Sequence, residues 1–111
     1  MPAKTTMNVR EIRSSLGVSR KIFSRLIGFS ERSIADWESG RRLAPGSQAR
    51  MREIMRLHRA LAKVMDPSFV GTWLEAPSDA FDGLKPLEVI ERGEMDRIWR
   101  MIFFLESGVS S

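Results

Sequence analysis

The sequence predicts an all-α fold, and three observations carry that expectation. Tyr is absent, no stretch alternates β-branched with polar residues as a half-buried strand would, and apolar residues recur at spacings of three and four in most windows, the period of a helix with one buried face. At 111 residues, 42% hydrophobic and 29% charged, the chain suits one compact domain or two very small ones sharing a core, and a large multidomain enzyme is excluded.

Each element follows from its caps and its apolar stripe. Val9, Ile12 and Leu16 form the buried stripe of a first helix that stops at Gly17. Ser19 supplies an N-cap oxygen for a second, carrying Phe23, Leu26 and Ile27 and ending near Gly28. Ser30 caps a third, in which Ile34 and Trp37 face inward, with Gly40 as its left-handed closure. After a loop from Arg41 to Gly46, a fourth and longest helix from about Ser47 to Met65 buries Met51, Ile54, Met55, His58, Leu61 and Ala62 and links the two halves. Asp66-Pro67, an N-cap followed by a proline at the first helical position, opens a short helix through Phe69, Trp73 and Leu74 that ends at Pro77. Ser78 to Phe81 adds one helical turn. Pro86 opens another short helix bearing Leu87, Val89 and Ile90, and Gly93 breaks it before a final helix from Glu94 to Ser107. Residues 108–111 lack apolar periodicity and are expected to be mobile when free.

Composition removes several function classes. With no Cys and one His, disulfide scaffolds, thiolate chemistry and Cys/His zinc sites are not expected, and no catalytic constellation, metal site or cofactor is read from the chain. His58 lies on an apolar stripe and reads as a satisfied core histidine. No run reaches the roughly 20 apolar residues of a spanning helix, and MPAKTTMNVREIR lacks the apolar core of a secretory signal, so a cytoplasmic protein without membrane contact is expected. Charge is divided unevenly. Residues 1–63 hold 14 Lys/Arg against 5 Asp/Glu, whereas residues 64–111 hold 4 against 9, which gives +9 and −5. The first half suits a polyanion and the second does not.

Residues 19–40, SRKIFSRLIGFSERSIADWESG, read as a capped helix, a glycine turn and a second capped helix, which is a helix-turn-helix. With Ile34 and Trp37 inward, Arg32, Ala35, Asp36 and Ser39 face outward and Glu31 stands at the exposed start. This segment resembles the Xre/Cro family of phage-type repressors through Leu16-Gly17, Ser19 with Phe23, Gly28-Phe29-Ser30, Ile34 and Trp37-Glu38-x-Gly40. The resemblance implies that the helix from Ser30 enters the DNA major groove, with Glu31, Arg32 and Asp36 at base-reading places, joined by Arg20. Arg32 can bond guanine, whereas Glu31 and Asp36 only accept. Arg41, Arg42 and the exposed amides and hydroxyl at Ser19 are placed for phosphates. The DNA-facing set is thus Ser19, Arg20, Ser30, Glu31, Arg32, Ser33, Asp36, Ser39, Arg41 and Arg42. Arg42, Arg50 and Arg52 are equally readable as ordinary solvated charges. In the resembling family an arginine of the first helix pairs with the glutamate matching Glu38; here that position is Arg13, and the pair is read as structural.

Residues 73–108 are similar to the toxin-binding domain of Xre/MbcA/ParS-type antitoxins through Trp73-Leu74, Pro77, Phe81-x-Gly83-x-x-Pro86-Leu87, Gly93 and Leu105-x-x-Gly108. Together the two resemblances span about residues 10–108. On the final helix Met95, Ile98, Trp99 and Ile102 share one face with Phe103 and Leu105 at its edges, while Phe104 projects opposite, beside Arg97 and Arg100. Phe104 is either a partner anchor or packs on the other half of the chain. Trp73 and Trp99 read as core.

The resemblance implies a RES-domain toxin that consumes NAD as partner, its active-site cleft covered by the antitoxin's carboxyl-terminal end. Candidate toxin-contacting residues are Arg92, Arg97, Arg100, Phe104, Ser107, Gly108 and Val109. The leading expectation is therefore an antitoxin, not an enzyme, with residues 1–63 binding operator DNA as a dimer and residues 64–111 binding the toxin. The alternative is a free-standing phage-type repressor whose acidic half dimerises or senses a ligand.

Overall fold

The computed structural model describes residues 8–108. Among them every regular element is helical, as the sequence predicts: α1 Val9–Leu16, α2 Arg20–Ile27, α3 Glu31–Glu38, α4 Pro45–Leu61, α5 Val70–Leu74, α6 Pro86–Glu91 and α7 Met95–Ser107, with 3₁₀ turns at Pro67–Phe69 and Asp79–Phe81. The caps explain most boundaries. Ser19 accepts from the Ile22 amide, Ser30 from Ser33 and Asp66 from Ser68, each side chain standing in for a helical acceptor that the first turn lacks. Asn8 does the same for α1 through the Glu11 amide. Gly28 closes α2 at φ 77°, a left-handed turn that a side chain would strain.

Two expectations about α4 are corrected. The helix starts at Pro45 rather than Ser47, because proline is suited to a first turn whose amides have no intrahelical acceptor. It ends at Leu61 rather than Met65: three-residue bonds from Lys63 to Ala60 and from Val64 to Leu61 tighten the end, ahead of the Asp66-Pro67 step. The buried stripe is Ser47, Met51, Ile54, Leu57 and Leu61. Met55, His58 and Ala62 are half-buried, because α4 packs on α2 from one side and α7 from another, and that arc centres on Leu57.

The buried side chains form one cluster drawn from both halves, from Val9, Phe23 and Ile34 through Leu57 to Val70, Leu87 and Ile102. The most extensive contacts across residue 63 join α1 to the turn Pro67–Phe69, α2 to α6, and α4 to α7. The approach is closest at Gly71, where a Cβ would stand 2.6 Å from the Leu16 carbonyl oxygen and 2.9 Å from that of Gly17. Glycine there lets α5 rest on the backbone at the end of α1. Outside the core, Arg25 and Glu91 form a two-bonded ion pair, both at 2.7 Å, between α2 and α6. That hydrogen-bonded guanidinium holds the Glu91 carboxyl below the usual carboxylate range.

Candidate functional site

The helix pair α2–α3 is held by a charged node and an aromatic edge. Arg13 on α1 donates from Nε to Glu38 Oε2 at 2.7 Å and from Nη2 to Oε1 at 3.3 Å, and Nη1 reaches the Val18 carbonyl at 3.2 Å. Arg20, at the start of α2, donates to the same Glu38 Oε1 at 2.9 Å. The Glu38 side chain is 0% exposed, so its charge is carried by two guanidinium groups that still reach water. These bonds, Arg13's first, hold the Glu38 carboxyl below its ordinary range although burial opposes ionisation. Phe29, in the turn, meets Trp37 edge to face at 5.4 Å. The expected Arg13–Glu38 pair is therefore present, and the node is larger than expected because Arg20 is part of it.

Around that node the predicted DNA-facing residues divide. Glu31, Arg32, Ser39, Arg41 and Arg42 are exposed, with Ser33 and Asp36 half-buried. Arg32 and Arg42 make no ion pair among the described residues, leaving their guanidinium groups open to a ligand. Asp36 instead accepts from Arg41 at 3.1 Å, so these two neutralise each other in the free protein. Arg20 is turned toward Glu38 rather than outward. Arg50, one of the residues left open between phosphate and solvent, donates to the Leu26 carbonyl at 2.9 Å and to Glu53 at 2.7 Å. It caps the carboxyl end of α2 and is not a free cation.

The second surface is the end of α7. Met95, Ile98 and Ile102 are buried as expected, and Trp99 is half-buried. Phe103, expected at the edge of the inward face, is 72% exposed and Phe104 is 65% exposed. Ile102 is the last buried side chain among the described residues, and Leu105 is only half-buried; α7 runs past the body it packs on, so both phenylalanines stand clear of it. Phe104 therefore does not pack on the other half of the chain. Gly108 lies close to it, since a Cβ there would meet the Phe104 carbonyl at 2.9 Å and its ring at 3.2 Å.

The expected cationic neighbours behave unequally. Arg97 is folded back, bonded to Glu94 at 3.0 Å and Asp82 at 3.3 Å, with its guanidinium carbon 5.7 Å from the Phe81 ring centre. It braces α7 against the turn before α6 and does not flank Phe104 as an open group. Arg100 is exposed and paired with Asp96 at 3.0 Å, and Arg92 is exposed without an ion pair among the described residues. The Ser107 hydroxyl donates to the Phe103 carbonyl at 2.6 Å. Val109 lies outside the described residues. Trp73 is half-buried against Phe81 at 6.3 Å, edge to face.

His58 corrects another expectation. Its Nε2 is buried without a hydrogen-bond partner among the described residues, so it is not a satisfied core histidine. Burial, with Arg59 adding to it, lowers its pKa below the ordinary value. Among the described residues no helix is long and apolar enough to cross a membrane.

No family model matches the chain. Individual proteins do. It is 25% identical over 95 residues to the mycobacterial cidal antitoxin MbcA of Mycobacterium bovis and of Mycobacterium tuberculosis, covering 85% of this chain and 84% of each relative. It also matches a chain of the crystal structure of the M. tuberculosis MbcT–MbcA toxin–antitoxin complex, with a TM-score of 0.72 and 25% identity over 92% of this chain and 93% of that one. An alignment of that length takes in residues of both halves, and the chain is thus similar to an MbcA antitoxin, and shares the fold of a chain of the MbcT–MbcA complex, through nearly its whole length.

Proposed function

We propose that this protein is an antitoxin that neutralises a cognate toxin through the end of α7 and represses its own operon through α3. The observation that carries the reading is the pair Phe103 and Phe104, two adjacent exposed aromatics on the half that the MbcA similarity includes. Exposed aromatic side chains of this size are unfavourable in water and anchor protein interfaces when covered. The resemblance to Xre/MbcA/ParS antitoxins supports a RES-type, NAD-consuming toxin, with residues 107–111 entering or covering its cleft. Arg100, Glu106 and Ser107 are exposed polar groups toward that end, whereas Arg92 stands before α7, at its other end. For the DNA function, Arg32 is the open base-reading group, Arg42 an open phosphate ligand, and Arg41 becomes one when its bond to Asp36 exchanges for a phosphate. A dimer suits a palindromic operator, and the whole assembly is proposed to be cytoplasmic.

Co-expression with the toxin encoded beside it tests the reading, with growth and cellular NAD as readouts. The intact chain should restore both. Deleting residues 107–111, or replacing Phe103 and Phe104 by Ser together, should abolish rescue while leaving operator binding by the protein alone intact, because Ile102 and the core lie before them. Failure of the intact chain to bind or rescue any adjacent gene product would overturn the proposal, and would favour a repressor working alone.

A further inference from the structure

An open groove of about 1840 Å³ runs between α1 and α4 and is closed at one end by the loop after α3. Neither proposed surface fills it: α7 is not among its walls, and the proposed DNA surface reaches it only at Arg41 and Arg42 on its rim. Ile12, Trp37, Leu43 and Met55 line it and are only half-buried, so part of each waits to be covered. His58 also lines it, with Nε2 buried and unpartnered among the described residues.

The rim is strongly basic. Arg42, Arg52 and Arg59 stand along it, are exposed, and make no ion pair among the described residues. Arg52, Arg56, Arg59 and Lys63, all exposed, follow one another at steps of four, three and four and continue the basic ridge along α4. The acids nearby are largely spent: Glu38 on Arg13 and Arg20, Asp36 on Arg41, Glu53 on Arg50. Glu11 is the groove-lining acid that makes no ion pair among the described residues.

We propose that this groove is a further docking site that takes an acidic amphipathic peptide segment of another protein, its apolar side chains on Ile12, Trp37 and Met55 and its carboxylates on Arg52 and Arg59. Charge complementarity selects this occupant over two others. A second copy set symmetrically on α4 would bring the arginine ridge against itself, and like charges across an interface oppose docking. Duplex DNA would satisfy the arginines but leave the apolar lining against phosphates, with nothing to cover it. An amphipathic helix does both, since its apolar stripe fills a groove while its flanks carry charge. The proposal does not depend on the antitoxin reading, because it concerns neither α7 nor the outward face of α3.

The test is fluorescence anisotropy of the full chain with a labelled acidic amphipathic peptide, Leu and Phe on one helical face and Asp and Glu on the other. Two comparison peptides replace the apolar residues by Ser or the acids by Lys. Saturable binding of the first peptide alone is expected. Arg52→Glu, Arg59→Glu and Met55→Asp should each weaken it about tenfold, with melts showing each variant folded. Should Met55→Asp unfold the chain, Met55→Gln serves in its place. Absence of saturable binding, or equal binding of the Ser-containing peptide, would overturn the proposal. So would displacement of the peptide by non-operator duplex DNA at equal charge, which would make the ridge a phosphate surface. Dissociation of a dimer by Arg52→Glu, read by sedimentation, would also overturn it by assigning the groove to a second copy.

Discussion

The two halves of the molecule hold their helices together by different means. In the amino-terminal half, α1, α2 and α3 converge on a fully buried carboxylate shared by Arg13 and Arg20, and Arg50 ties α4 to the end of α2. In the carboxyl-terminal half the ties are mainly apolar: Leu87, Val89, Ile90 and Ile98 are buried, Trp73 meets Phe81 edge to face, and Arg97 lies over the same ring. The surfaces are opposite in character. The first half exposes unpaired arginines around α3 and α4 and keeps Phe23 buried; the second pairs Arg97 and Arg100 with its own acids and exposes Phe103 and Phe104. A surface of open guanidinium groups suits phosphate, and one of aromatic rings suits another protein. The lesson is that two surfaces of opposite character do not require division of the core, which is continuous through both halves.

The sharpest way to break this comparison is to separate the halves. Fragment 1–63 should show no cooperative thermal unfolding by circular dichroism. Removing α5 to α7 uncovers several large side chains at about 1.5–3 kcal/mol each, which together rival the ~5–15 kcal/mol stability of a small domain. A cooperative melt at the temperature of the intact chain would mean the halves are independent after all.

Next in size is the charged node. Glu38→Ala should lower stability by about 3 kcal/mol, because it strands Arg13 beside apolar neighbours; both arginines reach water, which places the loss at the low end for a broken buried pair. Because Arg20 shares the carboxylate, the double variant Glu38→Ala/Arg13→Ala should recover part of the loss but not all, in denaturant titrations. The node also sets a pH dependence. The folded Glu38 carboxyl titrates below its ordinary value, so its contribution is complete above the unfolded pKa of about 4.3 and is lost as pH falls through the folded value. Glu38→Gln should flatten that acid limb in melts at stepped pH, and the carboxyl-terminal half's exposed pairs should contribute little to it.

Gly71→Ala probes the joint between the halves without touching either surface. Its Cβ would collide with two backbone oxygens that cannot swing away, so a loss of about 1–3 kcal/mol is expected, read as a lower melting temperature. A neutral outcome would show that α5 can lift from α1 freely.

Smallest and most local are the substitutions on the surface proposed to face DNA. Arg32→Ala should weaken operator binding by about 1–3 kcal/mol and relax preference at one base pair, whereas Arg41→Ala should weaken all sequences alike and by less, since Asp36 competes for that side chain. Titration across single-base operator variants separates them. Unchanged affinity for the Arg32 variant would remove it from the reading set.

The amino-acid sequence by itself determined the all-helical architecture and most helix limits, because caps such as Ser19, Ser30 and Asp66 act on amides two or three residues away and Gly28 takes the left-handed turn that closes α2. It also determined the split in charge, and the position of Phe104 opposite the buried stripe of α7, which follows from helical period, whereas only the packing decided that Phe104 stays exposed and does not fold onto the other half. Tertiary structure decided the rest, for reasons of reach and neighbours. A long guanidinium chooses among partners that only packing brings near, so Arg20 joins Glu38, Arg50 caps α2 and Arg97 turns back to Asp82. The width of a buried arc depends on how many helices press on it, so Leu57 rather than Met55 is inside α4. How far a helix outruns its support is not written in its own period, so Phe103 is as open as its neighbour. Gly71 carries no local signal at all: its lack of a side chain matters only because the end of α1 lies against it.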